Sequence, residues 1–538
     1  MAPAQREVNR KRLASQVDTE VPEADVSPAQ EEMAPGQVFS RAVTGSMVSI
    51  GSQAITLVLG LVRSVLLARL LLPEHFGVVT LALFYVNLAG SLRSLGLSGA
   101  MVHREEVDER VRATFFTMQI ALLLGSLAML ASLLPLLSRF YPQMPLLSGV
   151  LLALVGLDGV KGINAYQETL LNRDLDFRRL ATADVAAAMS MTVLAPLAAW
   201  RGWGAWSLIV EQASGQMARA GAIWLRARRA RLRLGWDAKV ARWFWRFGVK
   251  AWVSNNLVYL IDHFDDFWVG TVLGKTSLGF YSRAYEFARY PRRVVANPLA
   301  SVFFPTFARL QNDRLRLSQA FFRVTSLVVR VGFWFGMVFI LTAPESIHLL
   351  LGERWLPMLT TFQLMIVYTL VDPLIVVVGN LLTATGHPGQ VARARAVQFA
   401  VFVPAVVGLG RWRGIEGVAL AADLMVLAGL VLLFLQSRVL VDYSFRALWL
   451  WPSIALVLIV VVVLALASVW ERVPLWGRLL GKGVVITALY GSLLWLTERG
   501  RLKTGWQVIR RAVKSSGTLP RLGRGEGERE QGSRGAEG

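Results

Sequence analysis

From about residue 42 to about residue 498, runs of roughly twenty apolar residues follow one another with only short polar breaks. Each run is long enough to cross the hydrocarbon core of a bilayer as a helix. Lipid offers no partners for backbone N–H and C=O groups, so segments of this length must satisfy them internally, as helices. Composition agrees. Charged residues make up 17% of the 538-residue chain and hydrophobic residues 54%, with a mean hydropathy of +0.48; soluble chains carry about a quarter charged residues. The expected class is an all-α integral membrane protein.

A sliding window predicts about 14 transmembrane helices, near 42–72, 76–102, 109–139, 145–171, 177–200, 203–226, 243–273, 277–309, 315–346, 355–384, 389–411, 414–438, 446–470 and 475–498. The basic cluster from Arg226 to Arg242 divides the series after the sixth. The expected organisation is a disordered N-terminal tail (1–40), a six-helix lobe (41–226), a basic linker (227–242), a second six-helix lobe (243–440), two extra helices (441–498) and a disordered tail (499–538). With the N-terminus inside, the inside loops hold about 20 Lys and Arg and the outside loops about 8, the expected positive-inside bias. An even number of spans then places both tails in the cytoplasm. The first residues lack a short apolar core followed by a small-residue cleavage site, so no signal peptide is expected.

Several chemistries are excluded. The chain has no cysteine, hence no disulfide and no thiolate metal site. His75, His103, His263, His348 and His387 are scattered, without a paired metal-ligand spacing. No phosphate-cradling glycine loop and no nucleophile elbow appear. The loops between spans are too short to hold a catalytic domain. No catalytic residue, metal or cofactor is therefore expected, and the chain is not expected to be an enzyme. The net charge of +21 sits largely in loops and tails. With no soluble domain to present it, nucleic acid is not expected as a partner.

What remains is charge inside the spans. Such residues are costly in lipid and are expected to face a bundle interior or a watery cavity. Arg63, Arg93, Asp158, Lys161 and Glu211 lie in the first half; Lys250, Asp262, Asp265, Asp266, Arg283, Glu286, Arg289, Arg293 and Asp372 lie in the second. Arg63, Arg93, Lys161, Lys250, Arg283 and Arg289 are candidates to line a substrate lumen. The stretch "YLIDHFDDFWVG" (259–270) sets Asn255, Tyr259, Asp262 and Asp266 on one helical stripe, with Asp265 and His263 flanking it. Asp262, Asp265 and Asp266 are ion-coupling candidates. A turn near Lys275 would bring Asp266 and Arg283 to one depth, with one carboxylate paired to Arg283 and another left to take up a proton or sodium ion. The D-x-x-D-D pattern also resembles magnesium-binding motifs of membrane prenyltransferases. Those need two such clusters, and one is present, so the metal reading is set aside.

The segments "LLARLLLPEHFGVVTLA", "SLGLSGAMVHREEVDE", "LLNRDLDFRRLA", "DDFWVGTVLGKTSLGFYSRAYEFARYP", "NPLASVFFPTFARLQND", "LLGERWLPM" and "LLTATGHPG" occur in order. Together they resemble the polysaccharide transporter family, of the WzxC-like kind, within the superfamily of MATE exporters and Wzx-type oligosaccharide flippases. The resemblance covers about residues 40–440. It implies two six-helix lobes, MATE-like, around a central cavity and related by a pseudo-twofold axis. It implies alternating access and a polyprenyl-diphosphate-linked oligosaccharide as cargo. Asp265 matches the family's acidic position in the seventh helix, and Arg283 and Tyr285 match its "SRAY" arginine and tyrosine. Arg63, Arg93, Lys161 and Lys250 rest on intramembrane charge alone.

The expected function is a flippase for a lipid-linked oligosaccharide repeat in the bacterial inner membrane, serving cell-surface polysaccharide synthesis. The expected partners are the lipid-linked oligosaccharide, membrane lipids, and a polysaccharide polymerase and co-polymerase. The alternative is a MATE-type ion-coupled small-molecule antiporter, for which an acidic lumen would be expected.

Overall fold

A computed structural model describes residues 35–225, 233–290 and 292–517. By its contacts the chain divides after Met47. Within the first unit the described residues open helix α1 (Pro35–Leu70); everything below concerns Val48–Gly538. The first helix starts at Pro35 and the last runs to Gly517, so parts of both segments expected as tails are helical. Residues 226–232 of the basic run after the sixth expected span lie outside the described residues.

Helices follow one another throughout. In order they are α2 (Pro73–Ser94), α3 (Leu97–His103), α4 (Glu109–Phe140), α5 (Leu146–Arg173), α6 (Phe177–Trp200), α7 (Trp206–Trp224), α8 (Ala238–Trp268), α9 (Lys275–Ala288), α10 (Asn297–Leu310), α11 (Arg314–Ser346), α12 (Leu359–Leu364), α13 (Ile366–Ala384), α14 (Pro388–Ser437), α15 (Phe445–Ala465), α16 (Ala467–Glu471) and α17 (Leu475–Gly517). Side chains that accept from free N–H groups of the first turn start several of them. Asp108 accepts from Val111, Asp176 from Arg179, Asp237 from Lys239 and Val240, Asp313 from Arg316, and Ser444 from Ala447. An N-terminal carboxylate satisfies an orphan donor and meets the positive end of the helix dipole.

Among the described residues, ten helices are long and apolar enough to cross a membrane, against the fourteen expected. Three causes account for the difference. The expected spans 203–226 and 243–273, now α7 and α8, are too polar, because charged residues of the interior sit on them. The expected span 277–309 is divided into α9 and α10, of 14 residues each and too short to cross. The expected spans 389–411 and 414–438 form the single run α14. That run is a hairpin: Arg413 and Gly414 leave helical geometry, with Gly414 at φ 59. Beyond the turn the chain packs back on itself, so closely that a Cβ at Gly417 would lie 1.9 Å from the Leu409 carbonyl oxygen. Gly429 likewise abuts Gln398.

One contact joins the two halves of the sequence with a twofold pattern. A Cβ on Gly77 would lie 1.7 Å from the Lys275 carbonyl oxygen, and one on Gly279 would lie 1.9 Å from the Pro73 carbonyl oxygen. Each glycine stands four residues after the residue its counterpart touches. That reciprocity is the signature of an isologous contact, here inside one chain. Only glycine lets two helix backbones approach so closely. Lys275 Nζ and Glu74 pair at 2.9 Å beside it. Flanking contacts extend the pattern: Trp355 Nε1 donates to the Ala68 carbonyl at 2.8 Å, and Tyr141 shares a 2.7 Å hydrogen bond with Thr271. Phe76, Phe280 and Trp355 pack edge to face around the crossing.

Helices α15 and α17, expected as extra spans, pack on α11: α15 sets Trp449 edge to face on Phe333, and α17 is held by polar contacts. Arg330 donates to both oxygens of Glu498 at 2.6 Å, Lys482 meets Glu345 at 2.5 Å, and Trp334 donates to Thr487 at 3.1 Å.

Candidate substrate cavity and its charges

The site is built where α1, α2, α7 and α9 meet. Arg63 projects from α1 and Arg283 from α9, so each half of the sequence supplies one guanidinium. Both line a cavity of about 100 Å³, together with Ser64, Phe76, Glu211 and Glu286. Arg63 Nε lies 3.0 Å from Glu211, and Arg283 Nη1 lies 2.5 Å from Glu286. Arg283 also donates to Ser64 at 3.4 Å, and its guanidinium carbon stands 4.5 Å from the centre of the Phe76 ring. The Nε of Arg283 is buried with no hydrogen-bond partner, and the contact to Glu286 Oε2 lacks hydrogen-bond alignment. Guanidinium donors of this kind suit anions that offer several oxygens in a plane.

Lys161 is exposed, as are Leu152 and Ile163 on the same helix, α5. At 3.6 residues per turn Lys161 lies about 180° from Leu152 and about 200° from Ile163. Lys161 therefore points away from the apolar face that Leu152 and Ile163 mark. On the side of Lys161, Glu168 holds Arg219 at 2.6 Å.

The other candidates separate. Arg93 makes a two-pronged pair with Asp158, whose second contact is 2.9 Å, and also meets Ser126. It is a buried intrahalf link. The side chain of Lys250 lies outside the described residues. Arg289 reaches Asp262 at 4.0 Å and lies over the Tyr285 ring at 5.1 Å.

The aspartates at the end of α8 are arranged differently from the expectation. No carboxylate of this group pairs with Arg283, because a π-helical turn (Val269–Leu273) and Gly274 at φ 87 redirect the chain before α9. Arg283 therefore turns to the cavity and Glu286. Asp265, 2% exposed, accepts from Tyr281 at 2.5 Å and from the backbone N–H of Asp266 at 3.0 Å. Asp266 stands 3.2 Å from His263 Nδ1, and its other oxygen is buried without a hydrogen-bond partner. Beyond them Arg292 meets Asp372 at 3.1 Å. Asp423 accepts from the Tyr368 backbone N–H at 2.8 Å. Among the described residues no group of three or more His, Asp or Glu side chains converges as a metal site.

Sequence reasoning named Glu211 and Glu286 only as intramembrane charges. It passed over Glu168, Asp184, Arg219, Arg330, Glu345, Asp423, Lys482 and Glu498. A charge inside an apolar window was the available signal for Arg330, Glu345, Asp423 and Lys482, since isolated charges there require partners.

A helical bundle with this many buried and cavity-facing charges defines a multi-pass membrane protein built around a polar interior. The particular family follows from comparison. A family model described as "Polysaccharide biosynthesis protein" matches residues 66–360, more than half of the chain, and the protein belongs to that family. The chain is 23% identical over 423 residues to "Lipopolysaccharide biosynthesis protein WzxC" of Escherichia coli (strain K12), covering 76% of this chain and 84% of that protein. It is 28% identical over 312 residues to "Succinoglycan biosynthesis transport protein ExoT" of Rhizobium meliloti (strain 1021), covering 57% and 62%. In fold it is similar to the lipid II flippase MurJ in an inward closed conformation, with a TM-score of 0.67 at 12% identity, covering 85% of this chain and 99% of that one. It is also similar to an inward-facing multidrug resistance MATE family transporter, with a TM-score of 0.55 at 15% identity, covering 73% and 97%. These likenesses, at such identities, concern the fold alone.

Proposed function

We propose that the protein is a flippase that moves a polyprenyl-diphosphate-linked oligosaccharide repeat across the bacterial inner membrane for cell-surface polysaccharide synthesis. The observation that carries this is the cavity in which Arg63 and Arg283, one from each half, converge. A diphosphate diester carries two negative charges and several acceptor oxygens, and paired guanidinium groups suit it. The prenyl tail remains in lipid, where no polar partner is needed. Family membership and the fold likeness support the same reading.

In this reading the reciprocal glycine contact lies between two six-helix lobes, 41–226 and 243–440, that rock about it. Both tails are cytoplasmic by the loop charge bias. The aspartates of α8 take up the coupling ion. A polymerase and co-polymerase receive the cargo. A small-molecule antiporter of cationic drugs would call for an acidic interior, and the arginines argue against it. The test is export in cells that depend on this protein. Arg63→Ala and Lys161→Ala each impair export with normal membrane insertion, and the double Glu variant abolishes it because a like charge repels the headgroup. Normal export by the double Glu variant overturns the reading.

A further inference from the structure

The arginines of the cavity are not free. Each is held by a carboxylate: Arg63 by Glu211 on α7 and Arg283 by Glu286 on α9. Glu211 lies in the electrostatic field of Arg63, Arg283 and Glu286 together, so the four groups form one charge cluster. Its formal charges cancel. Two guanidinium groups side by side in a small buried space repel each other, and the repulsion grows as water is excluded. Something anionic has to stand between them, and in this cavity the protein supplies it.

Resting on the flippase reading above, we infer that Glu211 and Glu286 are resident stand-ins for the two phosphates of the cargo: in the empty cavity they occupy Arg63 and Arg283, and the arriving diphosphate takes their place. The geometry supports exchange more than permanent pairing. Arg283 and Glu286 sit one turn apart on the same helix, a pair that constrains nothing between helices. Their contact lacks hydrogen-bond alignment, and Arg283 Nε has no partner. Arg283 also touches Ser64, the neighbour of Arg63, so both guanidinium groups already lie at one locus. The contrast is Arg93 with Asp158 and Arg330 with Glu498, where two-pronged buried pairs fix helices to each other. Binding then carries an exchange cost that keeps the cargo from being held too tightly, and release is assisted as the carboxylates return.

The purified full-length protein in nanodiscs tests this with geranyl diphosphate, a short prenyl diphosphate, as the probe. Glu211→Gln with Glu286→Gln removes the competing anions and keeps the shape. The expected result is at least tenfold tighter binding by calorimetry, together with slower cargo export in cells. Arg63→Ala and Arg283→Ala should lose binding. Should the double variant be poorly folded, Glu286→Gln alone, which breaks only an intrahelical contact, is expected to bind severalfold tighter. If wild type binds the probe and the Gln variants bind it equally or more weakly, the stand-in role is overturned while the flippase reading stands. If wild type does not bind it and the arginine variants export normally, both fall.

Discussion

Gly77 and Gly279 occupy corresponding places in one reciprocal contact, each pressing its bare Cα against the helix that carries the other. The contact joins α2 to α9 without room for a methyl group on either side, and the atoms in the way are backbone carbonyls that cannot swing aside. Gly77→Ala and Gly279→Ala are each expected to destabilise the protein by about 1–3 kcal/mol, the usual range for overpacking a well-packed core. Gly125→Ala, where nothing lies within 4 Å, should leave stability unchanged or slightly raised, as for any helical Gly replaced by Ala. Thermal unfolding in detergent compares them. Equal midpoints for Gly77→Ala and Gly125→Ala would show that the two helices separate freely at this crossing.

Arg330 and Glu498 form the most buried ion pair described, with side chains 9% and 2% exposed. Breaking such a pair leaves a charge in a low-dielectric setting. Arg330→Met is therefore expected to cost about 3–5 kcal/mol. Replacing both with apolar residues of similar volume should recover much of the loss, since desolvation of the pair largely offsets its attraction. The double-mutant cycle, read by the same unfolding assay, separates a docking role from mere packing. Additive losses in the double variant would contradict it.

Asp442, in the link before α15, accepts from Arg314 Nε at 3.0 Å and Nη2 at 2.9 Å. That hydrogen bonding holds its carboxyl below the ordinary aspartate value. A depressed folded value means that the contribution is present above the ordinary pKa, about 3.9, and is lost as pH falls through the lowered one. The expected outcome is that Asp442→Asn unfolds earlier than wild type near neutrality and that the gap closes in acid. High salt should also narrow it, because both groups are exposed. A gap that persists unchanged below pH 3 would assign the difference to shape instead of charge.

The membrane class was legible because apolar run length is a property of contiguous residues. So was part of the list of intramembrane charges, although Arg330, Glu345, Asp423 and Lys482 were passed over. Pairing was not. Whether Arg283 turns toward Asp266 or Glu286 depends on a π-helical turn and on Gly274 at positive φ, a single local deviation that reorients everything after it. The expected spans 389–411 and 414–438 adjoin where Arg413 and Gly414 leave helical geometry. The attachment of α17 through Lys482 and Glu498 joins residues far apart in sequence, and no local pattern encodes it. The basic residues were singled out as lumen candidates because each is a charge inside an apolar span. The carboxylates Glu211 and Glu286, which balance them, were seen only as part of the intramembrane charge.

The aspartates at the end of α8 give the last prediction, and the structure ranks them. Asp265 is fully engaged, by the Tyr281 hydroxyl and the Asp266 backbone. Asp262 stands at the limit of ion-pair distance from Arg289. Asp266 has one oxygen near His263 and the other buried without a hydrogen-bond partner. A buried acceptor with no donor is costly unless something visits it, and a proton or a sodium ion would satisfy it. Asp266→Asn is therefore expected to fold normally and to abolish the dependence of transport on an ion gradient in proteoliposomes. Asp265→Asn should chiefly lower stability, because the Tyr281 hydroxyl then lacks its carboxylate, and Tyr281→Phe should do the same. Asp262→Asn should have the smallest effect on either measure. The decisive comparison is transport with imposed proton and sodium gradients, variant by variant. If Asp266→Asn keeps the gradient dependence of wild type, this cluster is structural and the coupling ion binds elsewhere.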